Sequence, residues 1–558
     1  MVCFAMFASA LVVRAVYLQV LDKDFLNQQA DTRHLRTERI SAHRGTITDR
    51  NGEPLAISTP VDSIWANPKE FAPAVDSIPQ LARILGVDSQ MLIRRITRSM
   101  DKEFLYLKRH LNPAQASQVL ALELPGINVQ REYHRYYPAS EVTGHLIGFT
   151  DIDDQGQEGL ELAFNHWLAG ESGAKRVLKD RLGRSIENVA SIRPPHHGKE
   201  LRTSIDLRLQ YLAYRTLKAA IKTHEARSGS IVVLDVHTGE VLAMVNQPTY
   251  NPNDRSQFSA DRYRNRAITD IFEPGSSIKP LVVAAALESG EYRPSSIIDT
   301  APGHVTVGAK KISDNRNLGR VSLTTILARS SNVGVTKLAM QLQPDQLWDT
   351  MTQFGLGELT GSGFPGESAG MLTHFSNWQP ISQATLAYGY GVSMTPLQLA
   401  QAYAAIGAGG KVHPVSLVAI DKPDDGERVL SEETADAVRH MLEEVVRPGG
   451  TGAKASVAGY RIAGKTGTAW KFASGGYSKD KYISIFAGLA PASDPSLATV
   501  VVIDEPRGKL YYGSDVAAPV FADVMSESLR LLAVPPDAIP ARDPGNVMQA
   551  MTSRVESQ

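Results

Sequence analysis

The chain has almost no cysteine, almost no net charge and, beyond its N-terminus, no long apolar run. Cys3 is the only cysteine among 558 residues, which rules out an intrachain disulfide and any cysteine-based zinc site. Basic and acidic residues number 58 and 59, a formal net charge of -1. With no global field to draw it to a polyanion, a nucleic-acid partner is not expected. Internal repeats and low-complexity tracts are also missing from the body of the chain, which excludes solenoids and arrays. What is present is an ordinary globular composition, 43% hydrophobic and 21% charged, in a chain long enough for two or three domains with real cores.

The N-terminus is the exception. Val2 to Val13 are uncharged and mostly apolar, Arg14 interrupts, and Ala15 to Leu21 resume the apolar run with one glutamine. As a helix, residues 1–21 reach about 31 Å, close to the thickness of a bilayer core. A single transmembrane anchor over 1–21 is expected. The other reading is a signal peptide cleaved after Ala8-Ser9-Ala10; against it stand the missing basic leader and the apolar run that continues past that point.

From residue 22 to 195 short apolar-polar alternations such as 45–57 mix with helical patterns such as 80–85 and 114–122, which suggests an α+β module. Arg44, Asp49 and Arg50 cluster around a turn and are read as structural. Pro194-Pro195-His196-His197-Gly198 is a stiff, turn-forming stretch, and 196–205 is expected to link two domains. Two histidines fall short of the three or four convergent ligands a metal site needs, so no metal or cofactor is expected. Residues 206–532 open on an amphipathic helix pattern at 207–221, followed by a strand hairpin at 230–236 and 240–245. Three further strand candidates lie far downstream at 464–469, 483–489 and 498–503. Strands from both ends of a domain with helices between them imply a layered α/β design. The stretch 533–558 is rich in Pro, Asp and Ala without apolar periodicity and is expected to be a disordered tail.

Three short stretches carry chemistry. Glu273-Pro274-Gly275-Ser276-Ser277-Ile278-Lys279-Pro280 leads into the apolar run 281–287. There Ser276 and Lys279, three apart on one helical face, are placed as nucleophile and base. A serine hydroxyl needs such a base, and burial beside positive charge would lower the lysine's proton affinity enough to supply one. Ser-x-x-Lys alone is weak, since it recurs at Ser99/Lys102, Ser172/Lys175 and Ser478/Lys481. Lys465-Thr466-Gly467-Thr468 is stronger: a given tripeptide such as Lys-Thr-Gly is expected roughly 0.1 times in a chain this long. Between them lies Ser330-Ser331-Asn332, opening an apolar helical run. It is preferred to Ser313-Asp314-Asn315, which spells a β-lactamase motif but sits in a polar, turn-rich stretch and is read as loop.

These three motifs resemble those of penicillin-binding proteins. Ala42-His43-Arg44-Gly45-Thr46-Ile47-Thr48-Asp49-Arg50-Asn51-Gly52 resembles the segment that opens the N-terminal module of monofunctional class B members. The run from Tyr136 through Gly144-His145-Leu146-Ile147-Gly148-Phe149 to Gly156-Gln157-Glu158-Gly159-Leu160-Glu161 looks most like the division-specific branch. No Glu-Asp-x-x-Phe occurs, so the glycosyltransferase of bifunctional relatives has no visible counterpart. The resemblance implies a penicillin-recognising serine transpeptidase fold, with a five-stranded antiparallel sheet covered by helices. A pedestal domain and one transmembrane helix would precede it, placing the catalytic domain on the periplasmic side of the inner membrane.

By motif, the resemblance implies an oxyanion hole from the amides of Ser276 and Thr468 and roles for Ser330, Asn332 and Lys465 beside Lys279. Gly467 would let an acyl-donor peptide lie along the Lys465–Thr468 strand, with Thr466 and Thr468 offering hydroxyls to its carboxylate. Tyr482, Tyr511 and Tyr512 resemble aromatics that line the cleft. Trp470 departs from the pattern, since division enzymes often carry a basic residue there. The implied activity is D,D-transpeptidation of peptidoglycan stem peptides on lipid-linked glycan strands, inhibited by β-lactams. The implied partners are the membrane, a polytopic glycan polymerase and other division proteins. A serine β-lactamase or D,D-carboxypeptidase shares the motifs, though the deacylating glutamate of Glu-x-x-Leu-Asn is missing: Leu111-Asn112 has Lys108 in that position. A membrane-anchored β-lactam sensor or division scaffold is the non-enzymatic alternative.

Overall fold

A computed structural model describes residues 2–17, 35–179, 185–254, 256, 259–473 and 476–538. Its C-terminal half is built on five antiparallel strands in the order 241–247, 228–235, 497–504, 476–490, 463–473. The inner strands 228–235 and 497–504 are largely apolar because both faces are covered: Ile231, Val232, Val233, Leu234, Val500 and Val501 are fully buried. Each such side chain contributes roughly 1.5–3 kcal/mol relative to exposure. One face packs on helix Pro396–Gly407, beyond which the buried helix Lys279–Glu288 lies. The other face packs on Leu207–Thr223 and Gly513–Leu531. This is the expected five-stranded sheet between helical layers.

Each helix begins where its cap dictates. Asp206 accepts from the Arg208 amide at 3.0 Å to open Leu207–Thr223, and Thr395 and Gln398 form a reciprocal capping box with Pro396 in the first turn. The helix carrying Ser276 and Lys279 differs from a simple helical reading. It begins as a 3-10 turn over Gly275–Ile278 and becomes α-helical only at Lys279.

The pedestal is a second mixed unit. Strand Pro54–Ala66 pairs antiparallel with Leu105–Leu111 and Ile127–Tyr136, and Ile47–Thr48 continues the sheet. A separate cluster of Phe71, Leu81, Leu85, Leu92, Ile96, Leu107 and Val119 forms its head. Residues 196–205 were expected as linker, yet within them Leu201–Arg202 pairs parallel with Ile47–Thr48 and Leu201, Thr203, Ser204 and Ile205 are buried. The crossing is a strand, fastened by Leu201 N–H to Thr46 O and Thr203 N–H to Thr48 O, each 2.9 Å.

The start of the expected tail is also packed. Asp537 accepts from the Arg461 and Ser493 amides at 2.7 and 3.1 Å, and Tyr460 OH donates to Val534 O at 2.6 Å; residues 539–558 lie outside the described residues. At the other end, an exposed apolar helix covers Val2–Val16. No helix among the described residues is long and apolar enough to cross a membrane, and residues 18–21 of the expected anchor lie outside them.

Candidate active site

The fold brings the three motifs to one point. Lys279 and Lys465 are both fully buried, with 0% exposure, and both reach the hydroxyl of Ser330. Lys279 Nζ lies 3.2 Å from Ser330 Oγ, 2.6 Å from Ser330 O and 2.7 Å from Asn332 Oδ1. Lys465 Nζ donates to Ser330 Oγ at 3.0 Å and to Thr466 O at 3.2 Å. No hydrogen bond joins Lys279 to Ser276 among the described residues.

Burial costs an ammonium its hydration, and here no carboxylate contacts either lysine to offset that loss. Burial therefore brings Lys465 down to about 7. Lys279 falls well below the ordinary lysine range, through burial and then through repulsion from Lys465, with attraction to Asp314 opposing. The arrangement favours one proton on the pair, resident on Lys465. A neutral Lys279 then has two N–H bonds for Ser330 O and Asn332 Oδ1 and a lone pair free for a hydroxyl proton.

Ser276 lies one turn before Lys279, partly exposed in the 3-10 turn. Among the described residues nothing accepts from its amide, as fits the first N–H groups of a helix. Thr468 stands opposite. The Trp470 amide, two residues on, donates to Tyr390 OH at 3.3 Å instead of to the neighbouring strand, so the Thr468 amide points the same way, off the open edge of the sheet. A Cβ on Gly275 would sit 3.0 Å from Thr468 O, which places the two segments side by side.

Gly467 serves a use the sequence did not indicate. A side chain there would come within 2.9 Å of Pro274 O, so the missing Cβ admits the nucleophile turn itself. Gly389 does the same from the opposite side, with a hypothetical Cβ 2.1 Å from Gly275 O. The turn is thus wedged between the edge strand and the glycine-rich loop, where Gly275 N–H donates to Gly389 O at 3.2 Å.

Around this centre, Thr466 Oγ1 donates to Thr451 Oγ1 at 3.1 Å, and Thr468 Oγ1 accepts from the Gly513 amide at 2.9 Å, leaving its proton free to donate. Tyr482 stacks on Tyr511 with ring centroids 4.1 Å apart, and Tyr511 meets Tyr512 at 4.4 Å. Tyr512 directly precedes Gly513, whose amide reaches Thr468, and Tyr482 lies on the strand next to that of Thr468. Trp470 is 49% exposed, pairs across the hairpin with Tyr482 and lies near Tyr390, 6.4 Å between rings.

Two features escaped sequence reasoning. Glu273 accepts from the Gly391 amide at 2.7 Å and Tyr477 OH at 2.8 Å, tying the glycine loop and the hairpin to the nucleophile turn. Asp314, part of the set-aside Ser313-Asp314-Asn315, accepts from Ser331 Oγ and from the amides of Asn332 and Val333. Neither has a local signal, since each partner lies far along the chain or in a loop. The paired histidines hold chain contacts, His43 N–H donating to His197 Nδ1 at 3.1 Å and His196 pairing with Glu171. No metal-holding group of His, Cys, Asp and Glu occurs among the described residues.

The chain matches two family descriptions: a penicillin binding protein transpeptidase domain over residues 229–526 and a penicillin-binding protein dimerisation domain over 39–203. It is 45% identical to the peptidoglycan D,D-transpeptidase FtsI of Escherichia coli strain K12, over 97% of this chain and 92% of that protein. It is 42% identical to the probable peptidoglycan D,D-transpeptidase PbpC of Pseudomonas aeruginosa, over 96% and 94%. The crystal structure of penicillin-binding protein 3 from Mycobacterium tuberculosis, complexed with aztreonam, superposes with TM-score 0.70 at 28% identity, covering 90% of this chain and 98% of that one. With its own lysines converging on one serine hydroxyl beside Ser276, the chain belongs to the penicillin-binding proteins, as a class B member of the penicillin-binding protein 3 type.

Proposed function

We propose that this protein is a peptidoglycan D,D-transpeptidase that cross-links stem peptides during septal wall synthesis through an acyl-enzyme on Ser276. The observation that carries the reading is the pair of fully buried lysines, Lys279 and Lys465, meeting at Ser330 Oγ. In this mechanism Ser276 Oγ attacks the penultimate D-alanine carbonyl as its proton passes to neutral Lys279. The oxyanion is held by the Ser276 and Thr468 amides, fixed before reaction. The C–N bond breaks and terminal D-alanine leaves as the amine, taking a proton relayed through Ser330. An amine of a neighbouring stem then attacks the ester, forms the new amide and returns the proton to Ser276. Asn332 holds Lys279 and the substrate amide, and Lys465 supplies positive charge.

Thr466 and Thr468 bind the donor carboxylate along the strand edge at Gly467, and Trp470, Tyr482, Tyr511 and Tyr512 wall the cleft. A β-lactam enters the same path with its ring C–N bond as the one broken. Residues 1–21, which include the apolar helix Val2–Val16, anchor the chain in the inner membrane. The pedestal, residues 22–195, carries the catalytic unit 206–532 toward the wall and docks a glycan polymerase and other division proteins.

A fluorescent penicillin is expected to label Ser276 covalently and to persist for many minutes. Rapid loss of label would point to a β-lactamase, and an unlabelled folded protein would contradict the acyl-enzyme. Depletion is expected to give filamentous cells; spherical cells would assign the enzyme to elongation.

A further inference from the structure

The carboxylate whose field reaches Lys279 is that of Asp314, which directly follows strand Lys310–Ser313. Its two oxygens are fully engaged. Oδ2 accepts from the Ser331 hydroxyl at 2.5 Å, and Oδ1 accepts from the amides of Asn332 at 2.5 Å and Val333 at 3.0 Å. Ser331 in turn caps helix Asn332–Ala339 by accepting from the Gly334 amide at 2.8 Å. Asp314 therefore grips the first turn of the helix from outside, where unpaired amides and the helix dipole favour a negative charge.

The residue immediately before this grip is strained. Ser330 has φ +55°, a left-handed conformation that is unfavourable for a residue with a Cβ. It is held from one side by the end of helix Leu323–Ala328, where Ser330 N–H donates to Leu327 O and Ser331 N–H to Ile326 O at 3.1 and 2.9 Å. On the other side it is held by Asp314 through Ser331. In that conformation Ser330 turns both its carbonyl and its hydroxyl to Lys279 Nζ, while Asn332 supplies the third oxygen. Without the outer grip the Ser331 hydroxyl keeps only the Gly334 amide of its own helix among the described residues, and the hold on Ser330 from that side is lost.

We propose that Asp314 is a positioning residue for acyl transfer, locking the Ser331–Val333 turn so that strained Ser330 and Asn332 hold the amine of Lys279 toward the nucleophile. It acts through Ser331, Asn332 and Val333 and touches no reacting atom. Its charge has a second consequence. The charged groups facing the amine are Lys465, which disfavours a proton there, and Asp314, which favours one. Removing the negative charge therefore leaves Lys279 neutral down to a lower pH.

This inference rests on Lys279 acting as base, and two variants of the full 558-residue chain separate its failure from failure of that reading. Asp314→Asn keeps an oxygen for the Asn332 and Val333 amides and presents an NH2 group to the Ser331 oxygen, removing charge with little change of shape. Asp314→Ala removes the grip. With fluorescent penicillin labelling followed against pH, Asp314→Asn is expected to move the acid limb of the rate profile to lower pH by about half a unit or more. Asp314→Ala is expected to slow labelling about a hundredfold, a much larger loss than in Asp314→Asn, while its thermal transition shows that it is folded. An unmoved acid limb in Asp314→Asn, or wild-type labelling by Asp314→Ala, overturns the proposal. Absence of labelling in the unmodified protein overturns the acyl-transfer reading instead.

Discussion

One cluster in the pedestal and one in the catalytic domain each bury two cations, and they settle the cost of doing so in opposite ways. In the pedestal Arg44 and Arg135 share the carboxylate of Glu161, at 2.7 and 2.6 Å, with all three side chains at 1% exposure or less. The remaining donors of Arg44 go to Asn165 Oδ1 and to the carbonyls of Asp154 and Glu161. In the catalytic domain Lys279 and Lys465 meet only hydroxyl, amide and carbonyl oxygens. A cation opposite a buried carboxylate keeps its charge and holds segments together. A lysine opposite neutral oxygens, with another lysine nearby, gives up its proton. Arginine, which does not deprotonate, suits the first task, and lysine suits the second.

The largest way to break this comparison is Lys279→Met. Acylation by fluorescent penicillin is expected to fall about a thousandfold. The melting temperature should hold or rise, because an apolar chain of similar length replaces an amine in a dry site. A large drop in melting temperature would make Lys279 a structural cation like Arg44. The converse is Glu161→Gln, expected to lose about 3–5 kcal/mol in urea unfolding by stranding two buried guanidinium groups, with the labelling rate per folded molecule unchanged. A stable Glu161→Gln with slow labelling would invert the assignment of roles.

How far the sequence foretold these two clusters differs. The motifs carrying Ser276, Lys279, Ser330, Asn332 and Lys465 were legible because short residue patterns mark them, and the inner strands because unbroken apolar runs such as Ile231–Leu234 mark burial. The Arg44–Glu161–Arg135 cluster joins residues up to 117 positions apart and has no such pattern. Asp314 stood in plain view but was set aside as loop, since its partners at 331–333 become neighbours only in the folded chain. Pairing of Leu201–Arg202 with Ile47–Thr48 was likewise invisible, because a two-residue strand shows no period. Gly467 was noticed for its lack of a side chain, but only the fold reveals that Pro274 fills the space.

Smaller effects sharpen the contrast. Lys465→Arg keeps a charge beside Ser330 but replaces a tunable amine with a fixed, larger fork. Labelling is expected to slow about tenfold to a hundredfold, and the alkaline limb of its pH profile should vanish. Retention of that limb would assign it to another group. Smallest is Trp470→Ala, which removes one partner of the Trp470–Tyr482 cross-strand pair. A loss of about 0.5 kcal/mol in urea unfolding, with the maximal labelling rate unchanged, is expected. A change in the maximal rate would place Trp470 nearer the reacting atoms than its half-exposed position suggests.

The most direct test of the account is the pH dependence of Ser276 acylation in the unmodified chain. At low pH Lys279 takes up a proton and the base is lost, so the rate falls. As pH rises through about 7, Lys465 loses its proton and the positive charge beside Ser330 disappears, so the rate falls again. A bell-shaped profile is predicted, with its alkaline limb near neutrality and its acid limb well below the ordinary lysine range. A rate that climbs steadily to a limb near pH 10, as for a solvated lysine, would contradict the claim that burial without a carboxylate partner is what makes this site reactive.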